Sequence, residues 1–192
     1  MTDERTKAYA AEAAVWTRLA GLLPASEDVD EVQGCWDIGE QEGGLDVLVG
    51  RLLELGLRVG ESTRAEIAVM AEQWGVWDRL AARIVACPPD PEQLAVLRVF
   101  EDGAKEPTAV RDVLPEHPSA DVALVPWITC VRCGRVLARA HGREPWGDLS
   151  YQAEAYVVFA AGGGFAPRVF DREEPGAVWA ALAALRGAGA CG

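Results

Sequence analysis

Histidine occurs twice in 192 residues, and lysine supplies only two of the 18 basic side chains. So little histidine argues against a histidine-rich metal centre and leaves few ready general bases. The shortage of basic residues against 30 acids sets the net charge at −12, and a chain that repels phosphate lacks the basic face of a non-specific nucleic-acid binder. No apolar run approaches the ~20 residues of a membrane span. The charged start Met1-Thr2-Asp3-Glu4-Arg5 is followed by no apolar signal core, so a cytoplasmic location is expected, with neither membrane nor nucleic acid as partner. Also missing are G-x-S-x-G, H-E-x-x-H and G-x-G-x-x-G spacings. Gly162-Gly163-Gly164 is a loop without the phosphate-cradling pattern, and no carboxylate pair stands out for acid–base work. The expectation is a protein that is not an enzyme.

What is present is ordinary globular composition, half hydrophobic and a quarter charged. The fold class expected is α+β: an N-terminal bundle of four to five short helices, then a small antiparallel sheet with a C-terminal helix. Residues 1–87 form the bundle, 88–93 a Pro-rich linker, and 94–192 the α+β unit. Ala13, Trp16, Leu19 and Leu23 share a helical face stopped by Pro24. Asp28 or Asp30 is the expected cap of a pattern through Ile38, Leu45, Leu48, Leu52 and Leu55, broken or kinked near Gly43-Gly44. Thr63-x-x-Glu66 reads as a capping box with Gly75 closing its helix, and Trp77, Leu80, Ala81 and Ile84 make one more face. In the second half, Leu94–Phe100, two segments around a turn at Cys130–Gly134, Tyr156–Phe159 and Arg168–Phe170 read as strands. Pro175 opens a last helix carrying Val178, Trp179, Leu182 and Leu185.

Five cysteines without an export signal point to free thiols or a metal site rather than a disulfide framework. Cys130-Val131-Arg132-Cys133-Gly134 is half of a tetrahedral zinc site, the glycine permitting the tight turn below the metal. His141, eight residues on and close enough to fold back along a strand, is the third candidate ligand. His117, Cys35, Cys87 and Cys191 are further ones, none at a diagnostic spacing. Otherwise the two cysteines simply cap a turn. The residues around them lack the βαβ setting of a thioredoxin-like pair. Arg135, Arg139 and Arg143 share a face if this stretch is a strand, either a solvated face or a site for phosphate or an acidic partner.

The opposite charge collects in the helical half. Glu27, Asp28, Asp30, Glu31, Asp37, Glu40, Glu42 and Asp46 lie in one stretch with no Lys or Arg. Such a strip confers solubility, or offers carboxylates to a basic partner for fast, salt-sensitive association. Trp36 in its middle is either a core side chain or an interface anchor. The candidate partner-binding residues are Trp36, Asp37, Glu40, Glu42 and Asp46.

Ile38-Gly39-Glu40, then Leu45, Leu48 and Leu52, the turn Glu54-Leu55-Gly56-Leu57-Arg58-Val59, and the helix start at Ser62/Thr63 with Ile67 and Ala71 together resemble the MafI- and CdiI-type helical immunity proteins of polymorphic toxin systems. The resemblance covers residues 28–75. It implies a non-catalytic, cofactor-free protein that neutralises a basic toxin domain by occluding its active site with an acidic helical surface. A zinc-stabilised structural or regulatory module on Cys130, Cys133 and His141 is the alternative. An enzyme with a pocket between the two halves is a third.

Overall fold

The computed structural model describes residues 2–101, 105–116, 121–160 and 165–187, the side chains of residues 2–4 aside. The fold is α+β: five helices, then an antiparallel sheet with a C-terminal helix. The chain divides into two compact units, residues 1–95 and 96–192.

The first unit holds α1 (Thr2–Ala20), α2 (Ser26–Asp37), α3 (Gln41–Glu54), α4 (Glu61–Gln73) and α5 (Trp77–Ala86). Their apolar faces meet in a core of Trp16, Leu19, Val32, Leu45, Leu48, Leu52, Ile67, Met70, Leu80 and Ile84. The break expected near Gly43-Gly44 falls earlier, at Gly39, four residues before Gly43. There the φ of +82° lets the Gly39 and Glu40 amides bond back to Trp36 and Cys35 carbonyls at 3.2 and 2.8 Å, closing α2. Gly44 stays helical because it is a packing residue. A Cβ there would lie 2.6 Å from the Trp16 ring and 2.8 Å from the Cys35 Cβ. The helix caps differ from expectation in two places. Helix α2 starts at Ser26 after Ala25, and α4 starts at Glu61 after Gly60, which leaves Thr63 inside the first turn with no capping box. Gly60 takes the cap because the preceding segment is tied down: Val59 bridges Pro89, its amide donating to the Pro88 carbonyl at 2.8 Å. The Pro-rich segment 88–93 is thus hydrogen-bonded to the helical unit. Arg64, only 3% exposed, reaches from α4 to the last carbonyls of α5, donating to Ile84, Val85 and Cys87. A helix end otherwise leaves such carbonyls unpartnered.

The second unit is a sheet in the order β1-β3-β4-β5-β6, with β2 also pairing β3. The strands are β1 (Leu97–Val99), β2 (Thr108–Ala109), β3 (Val122–Cys130), β4 (Arg135–Gly142), β5 (Ala155–Ala160) and β6 (Arg168–Asp171). Helix α6 (Val110–Val113) follows β2, and α7 (Ala177–Arg186) follows β6. All pairings are antiparallel. One face packs Val122, Leu124, Val136, Ala138, Ala140, Val157 and Phe159 with Val110 of α6. The alternate residues form the other face, where Arg135 donates to the Ala184 carbonyl of α7 at 3.4 Å. Both faces are buried, so burial does not alternate along β3 and β4, and the alternate polar side chains of β4, Arg135, Arg139 and His141, lie in the interior. Helix α7 begins at Ala177, after Gly176 in the left-handed region, so Pro175 lies just outside it. Among the described residues no helix is long and apolar enough to cross a membrane.

Candidate functional site

The acidic stretch runs along α2, through the Ile38–Glu40 turn and into α3. Two of its eight carboxylates are neutralised. Asp28 pairs with Arg51 at 2.9 Å, and Asp46 is held by Arg83 at 3.0 Å and by Arg79. Asp46 thus belongs to an ion-paired cleft of about 350 Å³ with Glu31, Gly50, Arg51, Glu54 and Arg83. The other six, Glu27, Asp30, Glu31, Asp37, Glu40 and Glu42, are exposed, and none makes an ion pair among the described residues. Their field reaches the nearest thiol: burial raises the pKa of Cys35, and the Glu31 and Glu40 carboxylates raise it further by disfavouring a second negative charge.

Trp36 is not on this surface. It is 6% exposed and packs among aromatic rings, with centroids 4.9 Å from Tyr9, 5.3 Å from Trp16 and 6.2 Å from Trp74. As an interface anchor it is therefore corrected to a core residue that backs the acidic turn. The reason is register. Trp36 lies four residues after Val32 on the buried stripe of α2, and the Trp16 indole N–H donates to the Val32 carbonyl at 3.1 Å. The apolar side chain that does face outward is Ile38, 75% exposed between Asp37 and Glu40. Helical periodicity assigned Ile38 to the core. The signal against that was the glycine at position 39, which ends the helix and turns Ile38 outward.

In the second unit, Cys130 and Cys133 do lie at one turn, where Gly134 has φ +68° and donates to the Cys130 carbonyl at 2.9 Å. His141 does not join them. It pairs with Ala123 at the far end of the β3–β4 hairpin, six strand residues beyond Arg135, or about 20 Å. A continuous β4 cannot fold back, so the Cys130–Cys133–His141 set is not brought together. His141 Nδ1 instead lies 2.7 Å from the Ser150 carbonyl. Cys130 is 1% exposed on the α7 side of the sheet, while Cys133 is half-buried. Among the described residues no group of three or more His, Cys, Asp or Glu is arranged to hold a metal ion. His117, Cys191 and Gly162–Gly164 lie outside the described residues.

The basic run is also relocated. Arg135 and Arg139 share a face as expected, but it is buried, with Arg139 2% exposed and stacked toward Trp127 at 5.9 Å. Only Arg143 of the three is exposed. Arg135 bonds one C-terminal carbonyl of α7 and Arg139 lies over a ring face, so both are placed inside the unit and not on a solvated face. No family model matches the chain, and neither curated proteins nor solved structures provide a match.

Proposed function

We propose that the protein acts by binding another protein. In this reading it is an immunity-type inhibitor that occludes the active site of a basic toxin domain with the surface at the α2–α3 turn. One observation carries the reading: three exposed carboxylates that make no ion pair among the described residues, Asp37, Glu40 and Glu42, flank an exposed Ile38 at the turn. Unpaired like charge costs the folded state self-repulsion, which a basic partner relieves, and it accelerates encounter with that partner. Ile38 adds the apolar contact that charges alone do not provide. Asp37, Ile38, Glu40 and Glu42 are the proposed contacts. Asp46, already paired, is a supporting residue. The resemblance of residues 28–75 to helical immunity proteins points the same way, as do the absent catalytic motifs.

The test begins with affinity capture from the native host and mass spectrometry for a stoichiometric basic partner. Association is then timed against salt for the wild type and for Asp37→Asn/Glu40→Gln/Glu42→Gln. The variant should associate about 10-fold more slowly at low ionic strength and show a flatter salt dependence. An unchanged on-rate, or no basic partner, rejects the reading.

A further inference from the structure

We propose that the second unit carries a binding pocket for a small aromatic amine, independently of any protein partner. The pocket is a cavity of about 430 Å³ where α6 meets the end of β5 and the start of β6. Its described apolar lining comes from Val113 of α6, Phe159 and Ala160 of β5, and Phe165 and Pro167 ahead of β6. Two polar side chains, Thr108 of β2 and Asp112 of α6, complete the lining. A cavity of this size that combines apolar side chains with a few polar groups is the usual form of a small-ligand site.

The walls are held from behind. Phe159 is part of the packed face of the sheet, with Val113 against it. Phe165 is backed by the Arg135 guanidinium, 4.7 Å from its ring centre, and Arg135 is itself buried and bonded to the Ala184 carbonyl. Two fixed phenyl rings favour an aromatic guest by offset or edge-to-face contact. Asp112 is exposed and makes no ion pair among the described residues. Among the described lining residues it is the one charged group, and with the Arg135 guanidinium set behind the Phe165 ring it is the charge that favours a cation over an anion. The Thr108 hydroxyl offers one further acceptor. A ring joined to an ammonium group by a short linker matches both halves of the pocket.

The experiment uses the full chain, labelled with nitrogen-15, and phenethylamine as probe. Two comparison probes isolate the parts: 3-phenylpropionate keeps the ring and reverses the charge, and butylamine keeps the charge and lacks the ring. Phenethylamine should shift the amides of Thr108, Val113, Ala160 and Phe165 saturably, with Kd of about 1 mM, a reasonable affinity for so small a ligand. Both comparison probes should bind at least about 10-fold more weakly. Asp112→Asn, at an exposed position, should leave the rest of the spectrum unchanged and remove the preference for amine over carboxylate. No saturable shift up to about 10 mM, equal binding of the amine and the carboxylate, or an unaltered preference in Asp112→Asn would each overturn the proposal. Because none of these readouts involves the α2–α3 turn, failure here leaves the protein-binding reading untouched.

Discussion

Replacing Arg64 by Ala tests whether one side chain secures the end of α5. Its guanidinium donates to the carbonyls of Ile84, Val85 (3.2 Å) and Cys87 (2.9 Å), with Glu61 Oε1 3.0 Å from Nε. Bonds from a charged donor contribute about 1.5–3 kcal/mol each, and a buried carbonyl left without a donor costs about 1–3 kcal/mol. The losses are not additive, because water can reach the partly buried Val85 carbonyl once the side chain is gone. The expected cost is therefore about 3–5 kcal/mol, a large share of the ~5–15 kcal/mol that stabilises a domain. With a urea slope of about 1–1.5 kcal/mol per M for a unit this size, the midpoint should fall by about 2–5 M. Intrinsic fluorescence is a suitable readout, since Trp77 is buried at the start of the same helix. Arg64→Lys should recover about half of the loss, because one ammonium cannot span three carbonyls as a planar fork does. A midpoint for Arg64→Ala within about 0.5 M of the wild type would refute the reasoning and mean that α5 is held by its apolar face alone.

Glu12 is buried and accepts the Trp74 indole N–H. Burial raises its pKa, and the Trp74 bond only partly offsets this. The ionised form thus costs stability above the raised value, and the cost vanishes below the ordinary Glu value of about 4.3. Glu12→Gln should match or exceed the wild type at pH 7 and lose that advantage near pH 4, as urea midpoints at the two pH values will show. A constant difference at both rejects the assignment. Gly44→Ala should destabilise by about 1–2 kcal/mol despite a better helix propensity, because its methyl meets Trp16 and Cys35. A thermal melt should fall by several degrees, and a rise would mean that the helices part freely. Ile38→Ala should leave stability unchanged and speed dissociation of the captured partner, whereas loss of stability would place Ile38 in the core after all.

The fold was largely legible in the sequence because its signals are local. Apolar spacing and a closing glycine define α4, although the C-cap is Trp74 and Gly75, with φ +69°, follows it by one residue. The β-branched run around Cys130–Gly134 became β3 and β4. Misreadings came where a tertiary contact outweighs a local rule. Gly43-Gly44 looks like a helix breaker by propensity, yet the close approach of Trp16 requires Gly44 inside α3. Thr63 looks like a cap, yet the Val59–Pro89 bridge starts the helix earlier. Neither contact has a signature in adjacent residues.

Charges posed a harder problem, because a sequence shows how many there are but not which ones meet. Asp28, Glu40 and Asp46 are equivalent letters in one acidic stretch. Only the packing of α3 and α5 shows that Arg51, Arg79 and Arg83 neutralise the first and last and leave Glu40 without a counter-ion. Arg135 and Arg139 read as surface residues for the same reason. Arg135 instead reaches the Ala184 carbonyl and Arg139 lies over the Trp127 ring, contacts that no charge count reveals. Sorting charges by partner rather than by number moves the candidate surface from the whole acidic stretch to the turn between α2 and α3. There, carboxylates without counter-ions flank an apolar side chain that the end of a helix has turned outward.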